Sequence, residues 1–327
     1  MRAPGFWQAP HSVLGLALSP LGLLYAAGTA RRLAKGNPVD PGVPVVCVGN
    51  LSAGGTGKTP TVIALVERLI ASGHTPHVVS KGYGGSLTAP TQVDPLSHSA
   101  DQTGDEPLLI AAFCPVWVAK DRVAGAQAAV KGGADVIVLD DGHQDPSLLK
   151  TLSIIVCDAA RGFGNGRTIP AGPLREPVAK GLARADVLVS IGTPAMQDRF
   201  AKTHGAHVTV PHIQAQLKPL PTGMPWHGMR ALAFAGIGYP DKFFETLRHE
   251  GIDLIRTLAL SDHQPLEPKL MQRLIAEAQA AGAQLLTTEK DAVRLPAELR
   301  GQVLPFPVRL HFRNDDALSQ ALTRAGL

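Results

Sequence analysis

Val43-Pro44-Val45-Val46-Cys47-Val48, running directly into Gly49-Asn50-Leu51-Ser52-Ala53-Gly54-Gly55-Thr56-Gly57-Lys58-Thr59, is the stretch that decides the fold. Its first part is apolar and β-branched, the pattern of a parallel strand buried on both faces. From Thr59 to Ser72 the apolar residues Val62, Ile63, Leu65, Val66, Leu69 and Ile70 keep helical spacing, and Gly73 marks the stop. Strand, glycine loop and helix in this order predict a phosphate-binding loop. Gly54, Gly55 and Gly57 leave N–H groups open to a triphosphate, and Lys58 brings a mobile cation. Thr59 offers a hydroxyl to Mg²⁺, and the helix adds its positive end. Ser52, Ala53, Gly54, Gly55, Thr56, Gly57, Lys58 and Thr59 are therefore the expected site for ATP with Mg²⁺. Ser52 stands where the strict motif has its first glycine, and the competing reading is a glycine-rich turn without nucleotide.

Apolar runs at 77–80, 116–119, 136–139, 154–157 and 187–191 read as further strands, with helices at 122–131 and opening near Pro107. The alternation predicts a P-loop NTPase-type doubly wound α/β sheet. A Pro/Gly-rich passage over 211–228 interrupts it. Beyond, strands at 231–237, 284–287 and 303–307 and helices at 241–250 and 266–281 predict a second, smaller α/β domain. The expected division is an N-terminal membrane-associating helix over 1–36, a P-loop domain over 37–215, a linker over 216–229 and a C-terminal domain over 230–327.

Composition narrows the function classes. A formal charge of +4, from 31 basic and 27 acidic residues with no block of like charge, does not suggest wrapping of nucleic acid. Cys47, Cys114 and Cys157 show no metal-ligand spacing and read as buried thiols. From Ala3 to Ala30 there is no Asp, Glu, Lys or Arg, and Arg31, Arg32 and Lys35 follow. That is a lipid-seeking segment with a basic collar. Pro20, Gly15, Gly22 and Gly28 weaken a straight span, so a helix lying in one leaflet is expected, against a cleavable signal peptide or an ordinary buried helix.

Val136-Ile137-Val138-Leu139-Asp140-Asp141 is an apolar strand ending in two carboxylates. Strands of such sheets point their C-terminal ends at the ligand, so Asp140 and Asp141 are expected to hold Mg²⁺ against the phosphates rather than merely form a turn. Gly104-Asp105-Glu106-Pro107 reads first as a helix cap. Ser261-Asp262-His263 lies in the second domain, where His263 is either structural or a general base facing the nucleotide.

Together, Ser52 to Pro60, Lys81-Gly82-Tyr83-Gly84-Gly85, Gly104 to Pro107, Asp140-Asp141-Gly142-x-Gln144, Pro170-Ala171-Gly172-Pro173-Leu174-Arg175-Glu176-Pro177, Asp262-His263 and Thr288-Glu289-Lys290-Asp291 resemble the tetraacyldisaccharide 4'-kinases of lipid A synthesis. The resemblance runs in order along nearly the whole chain. It implies transfer of the ATP γ-phosphoryl group to the 4'-hydroxyl of a tetraacyldisaccharide 1-phosphate, at the cytoplasmic face of the inner membrane, with no obligate protein partner. It implies Asp105 and His263 as the catalytic pair beside Lys58, and Thr59, Asp140, Asp141 and Glu176 as the metal shell. Arg175 becomes an anion contact, and Glu289 or Lys290 a neighbour of the nucleotide. Two departures stand out: the family usually has Phe-Gln-His where this chain has His143-Gln144-Asp145, and Arg where it has Lys81. A P-loop switch or metallochaperone would not need Asp105 with His263, and a nonenzymatic membrane adaptor would not require Lys58, Thr59 and Asp140 together.

Overall fold

The computed structural model describes residues 4–262 and 264–327. The chain forms β1 (Val45–Gly49), β2 (Pro76–Ser80), β3 (Thr91–Gln92), β4 (Val116–Val118), β5 (Val136–Asp140), β6 (Leu152–Asp158), β7 (Val187–Ile191) and β8 (His212–Pro219). There follow β9 (Arg230–Ala235), β10 (Asp253–Ala259), β11 (Gln284–Thr288), β12 (Leu304–Phe306) and β13 (Val308–Phe312). A nine-stranded sheet has the order β13-β8-β7-β6-β1-β5-β2-β4-β3, and a four-stranded sheet the order β10-β9-β11-β12. The larger sheet is parallel except at its edges, where β3 meets β4 and β13 meets β8 antiparallel.

β1, β2, β5 and β7 are buried throughout because helices cover both faces of the sheet. Helix Lys58–Ala71 seats Val62, Val66 and Leu69 on Val46, Val48, Val78 and Val138. On the opposite face, helix Arg122–Lys131 seats Ala126 and Ala129 on Val45, Ile137 and Leu139. Full burial of each such Val, Leu or Ile side chain contributes about 1.5–3 kcal/mol. β1 lies between β5 and β6, so the winding reverses beside it, and a crevice opens at the C-terminal ends of β1 and β5.

The expected division of the chain needs correction at two places. β8 runs to Pro219, through the first part of the expected 216–229 linker, and β13 with helix Asp316–Arg324 returns to the larger sheet instead of belonging to the smaller one. Pro307, which has no N–H to donate, separates β12 from β13. Leu310, Leu318, Ala321 and Leu322 then join the main core, so the smaller sheet is an insertion between two strands of the larger.

The N-terminal segment forms two helices, Val13–Ala17 and Ser19–Ala34, with Pro20 in the first turn of the second. No helix among the described residues is long and apolar enough to cross a membrane. One face exposes Val13, Leu14, Leu16, Leu21, Leu23 and Leu24. The other docks on 165–171: the Trp7 indole N–H donates to Pro170 O at 3.1 Å, Arg167 to Ser19 Oγ at 2.8 Å and the Thr168 hydroxyl to Gly22 O at 2.7 Å. Gly22 is required for this approach, since a Cβ there would lie 2.8 Å from Thr168 O. Gly22→Leu is therefore expected to undock the helix, read as faster tryptic cleavage after Arg31 and Arg32 with the rest of the fold intact. Unchanged cleavage would mean that the contact at Thr168 does not hold the helix.

Candidate active site

The glycine loop is shaped from within. Gly54 and Gly57 take φ of 103° and 92°, the left-handed region in which a side chain would be strained. Asn50, fully buried, donates through Nδ2 to Ser52 O at 2.7 Å and Thr56 Oγ1 at 3.1 Å, closing the loop on itself. Gly54, Gly55, Thr56, Gly57, Lys58 and Thr59 line a cleft of about 1830 Å³, larger than the roughly 300–1,000 Å³ typical of one small-molecule ligand. Ser52 and Ala53 are placed behind that wall, and the Ala53 N–H donates to Pro173 O at 2.7 Å. They shape the loop and leave the open N–H groups to the residues after them.

Asp140 closes β5 at 2 % exposure. Its Oδ2 accepts from the Ser80 hydroxyl at 3.2 Å, while Oδ1 is buried with no hydrogen-bond partner. Burial, then the carboxylates of Glu106 and Asp141, push Asp140 up to about 7 despite Lys58 and Arg122. A buried carboxylate oxygen lacking a donor, facing a phosphate loop, suits a hard divalent cation. Asp141 follows with φ 54°, and its Oδ1 lies 2.8 Å from Arg175 and 3.6 Å from Lys58. Burial raises Asp141, but Lys58 and Arg175 more than offset it and hold it below the usual carboxylate range.

Glu176 is not brought to these carboxylates. At 3 % exposure it accepts from Gln144 at 3.0 Å and Arg184 at 2.8 Å, outside the cleft lining. Among the described residues no group of three or more His, Cys, Asp or Glu side chains could hold a metal. The residues nonetheless fit Mg²⁺, which takes one or two carboxylates and completes its shell with phosphate oxygens and water.

Gly104 is the N-cap of helix Asp105–Ile110 and Pro107 lies in its first turn, as the capping reading expects, with Asp105 as the first helical residue and no side chain capping the helix. Lys290, from the helical turn after β11, reaches across the cleft to Glu106 at 3.0 Å and Asp105 at 3.9 Å. Burial lowers Lys290, but Glu106, Asp105 and Asp262 outweigh it and raise it. Glu289 accepts from Arg309 at 3.0 Å and also lines the cleft. His263, expected to pair with Asp105, lies outside the described residues.

His143 turns away from the cleft, with Nε2 at 3.0 Å from Gly181 O, and burial followed by Arg184 brings it down to about 4. It packs as a neutral core residue. Asp145 instead faces the cleft and binds Arg122 at 2.7 Å and Lys81 at 2.9 Å. Ser80 and Arg122 were not legible as site residues, since one serine ending a strand and one arginine opening a helix carry no motif.

Because the folded value of Asp140 lies above the unfolded one, its ionisation destabilises the metal-free fold progressively as pH rises from about 4 toward about 7. At pH 8 with chelator, Asp140→Asn is expected to raise the melting temperature. The same variant should lose the stabilisation that Mg²⁺ adds in the presence of ATP. A lower melting temperature in chelator would contradict the desolvated, unpartnered carboxylate.

A sequence profile described as Tetraacyldisaccharide-1-P 4'-kinase matches residues 14–326. A tetraacyldisaccharide 4'-kinase of Dinoroseobacter shibae is 63% identical over 326 residues, covering 98% of this chain and 97% of its own. One from Jannaschia sp. is 58% identical over 324 residues, covering 99% of both chains. The crystal structure of LpxK from Aquifex aeolicus in complex with ATP aligns at TM-score 0.75 and 25% identity, over 96% of this chain and 99% of that one. The chain belongs to the tetraacyldisaccharide-1-P 4'-kinase family.

Proposed function

We propose that the cleft between the two sheets transfers the γ-phosphoryl group of ATP to the 4'-hydroxyl of a tetraacyldisaccharide 1-phosphate, with Asp105 at the acceptor. As a member of its family the chain is an ATP-dependent phosphotransferase acting on a hydroxyl group in lipid A biosynthesis. The observation that supports the assignment of roles is the convergence in one cleft of Lys58, Thr59, Asp140 and Asp141 with Asp105.

The N–H groups of 54–59 and Lys58 bind the β- and γ-phosphates, and Thr59 and Asp140 would hold Mg²⁺, which would neutralise phosphate charge when bound. Asp141, kept ionised between Lys58 and Arg175, fixes the lysine toward the phosphates. His263, for which the family resemblance implies Asp105 as the partner acid, would take the proton of the acceptor hydroxyl as the new P–O bond forms. ADP leaves with the charge that Lys58 stabilises.

Tyr25, Thr29 and Arg32 of helix Ser19–Ala34 line the same cleft, and the leucines of that segment are exposed beside it. That arrangement supports a peripheral or monotopic seat on the cytoplasmic face of the inner membrane, with acyl chains left in the bilayer and the sugar presented to the site.

Incubation with γ-labelled ATP and tetraacyldisaccharide 1-phosphate, followed by lipid extraction, tests the reaction: label belongs in the lipid fraction. Asp105→Ala should lower turnover roughly 10²-fold or more while ATP binding persists. Turnover near that of the unaltered chain would remove Asp105 from the chemistry. A chain starting at Asn37 should become more soluble and lose activity on bilayer-embedded substrate, and its continued sedimentation with membranes would place the anchor elsewhere.

A further inference from the structure

Lys81 and Asp145, two of the three positions at which the chain departs from the family pattern given above, touch each other. Asp145 Oδ2 accepts from Lys81 Nζ at 2.9 Å and from Arg122 at 2.7 Å, and Asp145 Oδ1 accepts from the Ser147 N–H at 3.0 Å. Arg122, at 4 % exposure, spends its other terminal nitrogen on the backbone, donating to Asp140 O at 2.9 Å and Asp141 O at 2.8 Å. Those two carbonyls belong to the turn that aims the Asp140 and Asp141 side chains. Within that turn Asp141 is the one non-glycine residue of positive φ among the described residues, a conformation uncommon for a residue with a side chain. Lys150 adds a clasp from below, donating to Asp145 O at 2.6 Å.

We propose that Asp145 is a positioning residue for the metal-side carboxylates: it fixes Arg122 on the Asp140–Asp141 turn, and Lys81 completes the charge balance while tying its glycine-rich loop to that turn. Without an anion at 145, a buried guanidinium would keep its two carbonyl bonds but lose its only carboxylate among the described residues. Both oxygens of Asp145 are acceptors in use, so an amide there must set an N–H against either Ser147 N–H or the two cations. Asparagine is thus a near-isosteric substitution that breaks the device. Lys81→Arg keeps the ion pair, whereas Lys81→Met removes only the outer cation, on a side chain that is half exposed.

The inference rests on Asp140 lying on the metal side of the site, and its readout needs no lipid acceptor. Mn²⁺ is titrated into the full chain with a non-hydrolysable ATP analogue, and bound metal is read by electron paramagnetic resonance. Asp145→Asn is expected to weaken Mn²⁺ about tenfold or more, the usual consequence of losing an outer partner of a metal ligand, with analogue binding in chelator unchanged. Lys81→Met should give a smaller loss, Lys81→Arg should restore the original affinity, and the Asp145→Asn/Lys81→Met pair should be no weaker than Asp145→Asn alone. Unaltered Mn²⁺ affinity in Asp145→Asn, or losses that multiply in the double variant, would overturn the proposal. Should Asp145→Asn fail to fold, unaltered affinity in Lys81→Met overturns it. Failure of lipid phosphorylation with these metal effects intact would count against the acceptor and leave the positioning role standing.

Discussion

A carboxylate oxygen buried without a partner, Asp140 Oδ1, is the constraint around which the rest of the site is arranged. Left alone, such a group destabilises the fold by desolvation. Here it is placed at the end of a fully buried central strand, its sister oxygen anchored by Ser80, so it cannot swing out to water. Lys58 is held nearby through Asp141 rather than through Asp140, which leaves Oδ1 free of protein donors. On the proposed reading a cation and a triphosphate would repair this local defect on binding, and stability would be exchanged for a site that is complete only when loaded.

Holding that defect in register requires backbone as well as side chains. Asp141 sits in a left-handed conformation, and the neighbouring carbonyls are gripped by Arg122, which is itself gripped by Asp145. Asn50 does the equivalent work for the phosphate loop, binding Ser52 O and Thr56 Oγ1 from beneath. In both cases a buried polar side chain fixes main-chain direction. Through the backbone, such residues determine where the loop and the carboxylates point.

Legibility of these features in the sequence followed their range. The strand, loop and helix around 45–71 are local, and periodicity with glycine spacing was enough to place them. β13 and helix Asp316–Arg324 were assigned to the wrong sheet because nothing in 308–327 indicates that their partner is β8, far back in the chain. β10 went unread because it is an edge strand with polar residues at Asp253, Arg256 and Thr257. Glu176 was expected in the metal shell only through the family resemblance, and the fold shows Gln144 and Arg184 using its carboxylate. The exchanges at 81 and 145 read as two unrelated departures until the fold set them 2.9 Å apart.

The smaller sheet, inserted between β8 and β13, meets the larger through a few polar contacts at the cleft: Lys290 to Glu106, Lys242 to Asp158 at 3.9 Å, and the Arg161 guanidinium over the Tyr239 ring at 4.8 Å. Gly238 comes so near the phosphate loop that a Cβ there would stand 3.4 Å from Gly55 N. Three bodies therefore bound one cleft. The larger sheet carries the glycine loop, Asp140 and Asp141, the smaller brings Lys290 to Asp105 and Glu106, and the docked N-terminal helix presents Tyr25, Thr29 and Arg32. On the proposed reading nucleotide enters between the sheets and an acceptor kept in a bilayer comes from the side of the helix, because the exposed Leu21, Leu23 and Leu24 lie on the same helix as the cleft-lining Tyr25, Thr29 and Arg32.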